Sequence, residues 1–124
     1  MKDISDKLNY KGKEYPLVFN LNVLEEIQGE YGTITKWIEA AYGKETGEPS
    51  AKALSFGVMA MVNEAIDMAK EDHAPAGELE PVSLKQANRM LTELIKTEGL
   101  EQTIGTIDRL MSESMQGGKD SKNE

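Results

Sequence analysis

Few residues in this chain could do chemistry, and their spacing argues against it. His73 is the single histidine, it lies beside Glu71 and Asp72, and there is no cysteine. A metal site needs several converging ligands, usually with more than one imidazole or thiolate. One histidine in an acidic stretch reads as a solvated side chain, so no metal is expected. The same count removes histidine-based triads and cysteine nucleophiles. Glu25, Glu26 and Glu30 could do glycosidase-type acid–base work only if a cleft drew two of them together. Their spacing puts them opposite an apolar helical stripe, where a solvated face is the expectation. The glycines stand singly and lack the Lys-Ser or Lys-Thr sequel of a phosphate-cradling loop. No catalytic and no cofactor-binding residue is assigned, and a non-enzymatic protein is expected.

Methionine is the one excess that could carry function. Met59, Met61, Met68, Met90, Met111 and Met115 all fall in helical patterns. Thioethers fill cores, and they also suit surfaces that adapt to varied apolar partners. Core is the expectation for Met59 and Met61. The final helical stripe, Leu100, Ile104, Ile107, Met111 and Met115, is the candidate partner-binding surface. Such a stripe ahead of a free tail could leave its own body and pair with another helix, or it could simply pack on the preceding helix.

The elements that must position these residues begin with two short runs, Lys7 to Tyr10 and Glu14 to Phe19, joined through Lys11-Gly12-Lys13. Apolar and polar residues alternate in them and Gly12 permits a tight reversal, so a β-hairpin is expected over 7–19. Pro16 cannot donate to a ladder, which places its strand at an edge or leaves that backbone nitrogen facing solvent. The first helix starts at Asn20, or at Asn22 with Glu25 completing a capping box. Leu21, Leu24, Ile27 and Tyr31 mark its apolar stripe, and Gly32 ends it. Thr33 caps a second helix with Ile34, Trp37, Ile38 and Ala41 on one face, ended by Gly43.

Ser50 caps a third helix that is apolar nearly all round from Ala53 to Val62, the pattern of a central, buried helix. Gly57 in its middle is expected to admit a close neighbour. Asp72 to Pro81 reads as an exposed loop. Ser83 to Gln86 is a capping box for a fourth helix with Leu84, Ala87, Leu91 and Leu94 as its stripe and Val82 as a staple. After Gly99 comes the fifth helix. The expected architecture is α+β and mainly α: one domain over 1–116, with the hairpin 7–19 and a helical body 20–116 of about five helices. A disordered tail is expected over 117–124.

The 124 residues carry a net charge of −8 and a pI near 4.7. An acidic chain repels phosphate backbones and anionic lipid, so neither nucleic acid nor membrane is an expected partner. A DNA mimic would set carboxylates in phosphate-like rows, whereas these are scattered. The opening MKDISDKLNY is not a secretory signal. The longest apolar window, Ala53 to Val62, is about half of the ~20 residues that span a bilayer.

The segment YKGKEYPLVFNLNVLEEIQGEYG, with the Thr-Ile-Thr-Lys-Trp that follows it, resembles the tail assembly chaperones of long-tailed phages and of prophages in Gram-positive bacteria. The resemblance extends loosely past Ser50. It implies a non-catalytic partner of the tape measure protein, the long helical chain that sets tail length. Such a protein keeps the tape measure soluble in the host cytoplasm, helps recruit the major tail protein, and is absent from the finished virion. It implies no cofactor and no fixed binding motif, and it is compatible with self-association. In many such systems a ribosomal frameshift extends the product, and Gly117-Gly118-Lys119 could be encoded by a slippery run. The alternative reading is a small prophage-encoded regulator that binds a host protein. The neighbouring genes would separate the two.

Overall fold

Lys11 and Gly12 take positive φ, 51° and 76°, which is the pattern of a two-residue type I′ reversal. The computed structural model describes residues 7–116. The expected tail 117–124 and the proposed slippery site within it lie outside the described residues. Around the reversal, β1 (Lys7–Tyr10) pairs antiparallel with β2 (Lys13–Pro16), Tyr10 opposite Lys13 and Leu8 opposite Tyr15. The second strand begins one residue earlier than expected because the turn needs only two residues. It stops at Pro16 rather than Phe19. Leu17 and Phe19 leave the ladder yet are buried, and Val18 N–H reaches the Met61 carbonyl at 3.4 Å.

Five helices follow: α1 (Leu21–Tyr31), α2 (Ile34–Tyr42), α3 (Ala51–Glu71), α4 (Leu84–Glu98) and α5 (Leu100–Gln116). The chain is therefore α+β and mainly α, as the periodicities indicate. Thr33, Ser50 and Ser83 cap α2, α3 and α4 through side-chain oxygens, and Ser83–Gln86 closes a full capping box. For α1 the choice between caps falls to Asn20, whose Oδ1 accepts from Val23 N–H at 3.2 Å. Asn22 instead donates to Glu64 Oε2 at 2.9 Å, and the Asn20 amide donates to the same oxygen at 2.8 Å. One carboxylate of α3 thus ties down the start of α1.

α3 is the axis of the molecule and packs against α1, α2, α4 and the segment after its own end. Leu54, Val58, Met61, Val62 and Ile66 are buried around its circumference, which is what a helix without a polar face requires. Met61 is fully buried and Met59 is half-buried against the core, as expected for both. The neighbour admitted by Gly57 is one side chain, Trp37 of α2. A Cβ at Gly57 would stand 2.2 Å from Trp37 Cζ2, and the indole N–H donates to the Ala53 carbonyl at 2.7 Å.

The stretch 72–81 is mostly exposed, as expected, but it is not free of structure. Pro75–Glu78 forms a 3-10 turn that folds back on α3, with Gly77 buried and its carbonyl accepting from Lys70 Nζ at 2.5 Å. Asn63 then pins Val82 in both directions, accepting its N–H at 2.7 Å and donating to its carbonyl at 2.9 Å. These bonds satisfy backbone groups that would otherwise be lost against an apolar helix. They deliver Val82 to the core and set the start of α4. On α4 the buried face is Ala87, Met90 and Leu91, while Leu84 and Leu94 are only half-buried.

Candidate partner-binding surface

The proposed stripe on α5 is divided by burial. Ile107 is 0% exposed and Met111 6%, and both belong to the protein's own core; Ile104 packs half-buried against it. Leu100 and Met115 are 40% and 62% exposed. In the folded chain the stripe is not one continuous exposed face: its middle packs on the protein's own body, chiefly on α4, which is the second of the two outcomes the sequence allowed. The reason lies in the helix itself, where Thr103, Ile107, Leu110 and Met111 form one buried ridge. At 1.5 Å per residue the two exposed ends stand roughly 20 Å apart. They belong to different surroundings.

The Leu100 end opens on a groove of about 580 Å³ between the start of α3, α4 and α5, lined by Pro49, Leu54, Leu84, Leu91 and Ile95 among others. Among its lining residues Ser55 donates a hydrogen bond to Asn88 Oδ1, which satisfies one of the two buried polar side chains among the described residues. The other, Thr103, donates to the Gly99 carbonyl at 2.8 Å.

The Met115 end lies at a corner that the sequence alone did not assemble. Ser114 Oγ accepts from Phe19 N–H at 2.6 Å, and the next residue, Asn20, reaches Met68 Sδ with its amide at 3.6 Å. The linker from β2 to α1 therefore bridges the end of α5 and the last turns of α3. Leu21 follows at once and is 79% exposed; Met68 is 38% exposed. Of the four large exposed apolar residues among those described, Met68 takes part in one of these two hydrogen bonds, and Leu21 and Met115 are the chain neighbours of Asn20 and Ser114. Leu21 was expected in the buried stripe of α1. With Asn20 as cap it becomes the first helical residue and faces out, and Val23 and Ile27 fill the core in its place. The signal was available: Val23, Leu24 and Ile27 satisfy helical spacing without Leu21.

A second attachment holds α5 midway. Tyr42 at the end of α2 donates its hydroxyl to Asp108 Oδ1 at 2.7 Å. Burial first, then the Asp108 hydrogen bond and charge, raise the phenol above its ordinary value of 10.0. Tyr31 is raised as well, by burial and then by the charge of Glu30.

The residues considered for catalysis stay apart from any site. Glu25, Glu26 and Glu30 are exposed, and Glu30 faces Lys52 at 3.7 Å. His73 is exposed, with φ of 57° in the turn after α3. Among the described residues no group of three metal-ligating side chains converges, and no helix is long and apolar enough to cross a membrane. No protein-family model matches the chain, and no curated protein or solved structure does.

Proposed function

We propose that this chain is a non-catalytic tail assembly chaperone that binds a tape measure protein in the host cytoplasm, keeps it soluble, and is left out of the finished virion. The observation that carries the reading is the apolar corner of Leu21, Met68 and Met115 on a protein of net charge −8. A tape measure exposes apolar helical stripes that aggregate when bare. Flexible methionines beside a leucine can cover such stripes in more than one register, while the surrounding negative charge keeps the complex dispersed. The hairpin leading directly into α1 agrees with the segment on which the resemblance rests.

Co-expression with the long tail protein encoded at the same locus, followed by affinity capture from the soluble fraction, tests this. A tape measure that becomes soluble and co-purifies supports the reading. One that stays insoluble with both this chain and any frameshift-extended product would remove it.

A further inference from the structure

Three of the fourteen Lys and Arg residues of this acidic chain, Lys11, Lys13 and Arg89, meet at the turn end of the hairpin. Leu8, Tyr10, Lys13 and Tyr15 share one face of the two-stranded sheet, because Leu8 opposes Tyr15 and Tyr10 opposes Lys13. Leu8 is buried, Tyr10 and Tyr15 are half-buried and Lys13 is exposed, so this face runs from the core out to the surface beside α4. There Gln86 and Arg89 stand opposite. Together with Lys11 and Tyr15 these residues line a recess of about 370 Å³. Three cations, two phenols and one amide line it, and no carboxylate does.

The cations are also uncommitted. Among the described residues neither Lys13 nor Arg89 forms an ion pair, and Lys11 rests its ammonium 5.5 Å from the Tyr10 ring centroid. Of the nearby carboxylates, Glu14 is on the opposite face of β2, 3.8 Å from Lys7, and Glu93 and Glu98 line an adjoining groove that shares Tyr10 and Lys11, but not Lys13 or Arg89, with this recess. Like charges gathered without a counter-charge repel one another, and an anionic group entering between them relieves that repulsion.

We infer that this recess docks a carboxylate-bearing segment of a polypeptide partner, taking Asp or Glu side chains between Lys13 and Arg89 with the Tyr10 and Tyr15 rings as walls. Arg89 can meet a carboxylate in bidentate geometry, and Lys13 adds a point charge across from it. The choice of a short acidic peptide over nucleic acid follows from the rest of the molecule. A long polyanion would run out of the recess onto a surface of net charge −8, whereas one or two carboxylates would not. This inference stands apart from the chaperone reading and survives its failure.

The test uses the full chain and fluorescently labelled hexaglutamate, read by anisotropy, with amide chemical-shift mapping of the unlabelled complex. Binding is expected to weaken as salt rises, with shifts confined to Tyr10–Tyr15 and the Gln86–Arg89 turn. In a Lys13→Gln, Arg89→Gln double variant with unchanged circular dichroism, affinity should fall about five-fold or more. Lys44→Gln, an exposed cation on a distant loop, should leave it unchanged. Absence of binding, shifts elsewhere, or equal affinity in the double variant would each overturn the proposal. So would displacement of the peptide by an equal concentration of a six-nucleotide deoxyadenosine oligomer, which would assign the recess to nucleic acid.

Discussion

At the scale of single residues, the contact between Gly57 and Trp37 is the least forgiving in the molecule. Alanine at 57 would gain about 1 kcal/mol in helix propensity. It would also place a methyl 2.2 Å from a fully buried indole whose N–H is already held by Ala53. Overpacking of this kind costs about 1–3 kcal/mol and here has little room to relax. Gly57→Ala should therefore lower the urea midpoint despite its better propensity, with a blue or red shift of the single tryptophan's emission marking the displaced ring. Tyr42 gives a pH-dependent counterpart. Its phenol is raised in the folded state, so the unfolded chain loses the proton first. The stability it contributes is complete below the ordinary tyrosine value and declines as pH rises past it. Urea midpoints of wild type and Tyr42→Phe should accordingly differ at neutral pH, and the difference should narrow progressively as pH rises past about 10. That a close approach occurs at Gly57 is readable from the sequence, since a glycine inside an apolar helix must have a packing reason. That the intruder is Trp37 is not, because nothing local relates residues twenty apart.

At the scale of elements, the caps were legible and the faces only partly so. Thr33, Ser50 and Ser83 sit where capping chemistry demands a side-chain oxygen, and each helix begins where they place it. α1 had two asparagines to choose from, and the choice rotates which residues look inward. Glu64 decides it by drawing both amides toward α3, a tertiary contact that no local pattern encodes. The loop 72–81 reads as exposed from its prolines and acids, yet Lys70 and Asn63 fold it onto α3 through backbone groups. On α5 the stripe was visible but its owner was not: periodicity marks an apolar face without saying whether the protein's own core or a partner covers it. Two polar contacts beyond α4 secure that helix, Tyr42 to Asp108 and Ser114 to the Phe19 backbone. Each is worth about 1 kcal/mol. A Tyr42→Phe, Ser114→Ala variant should exchange the amides of the last turns of α5 about ten-fold faster than wild type, with the centre of α3 unchanged. Equal acceleration in both helices would mean that α5 is not an independently releasable element.

At the scale of the whole molecule, what remains after folding is an acidic body with an apolar corner at one place and a cationic recess at another. The corner was not legible as a unit, because Leu21, Met68 and Met115 are far apart in sequence and are related only through the hydrogen bonds of Phe19 to Ser114 and of Asn20 to Met68. It also sets which substitutions can probe partner binding. Ile107 is fully buried, and aspartate there would leave an unpaired charge in the core at a cost of several kcal/mol. That is a large share of the ~5–15 kcal/mol that holds a domain of this size together. Loss of partner binding in Ile107→Asp would therefore report unfolding. Leu21→Asp, Met68→Asp and Met115→Asp change exposed positions and should leave the fold intact.

The most direct measurement is the fraction of co-expressed tape measure protein that stays soluble with wild type and with the triple variant Leu21→Asp, Met68→Asp, Met115→Asp. Both proteins should first give the same circular dichroism and thermal midpoint. The expected result is a soluble complex with wild type and an insoluble tape measure with the variant, restored when methionine is put back at 68 and 115. A tape measure equally soluble with both would contradict the assignment of this corner as the partner-covering surface.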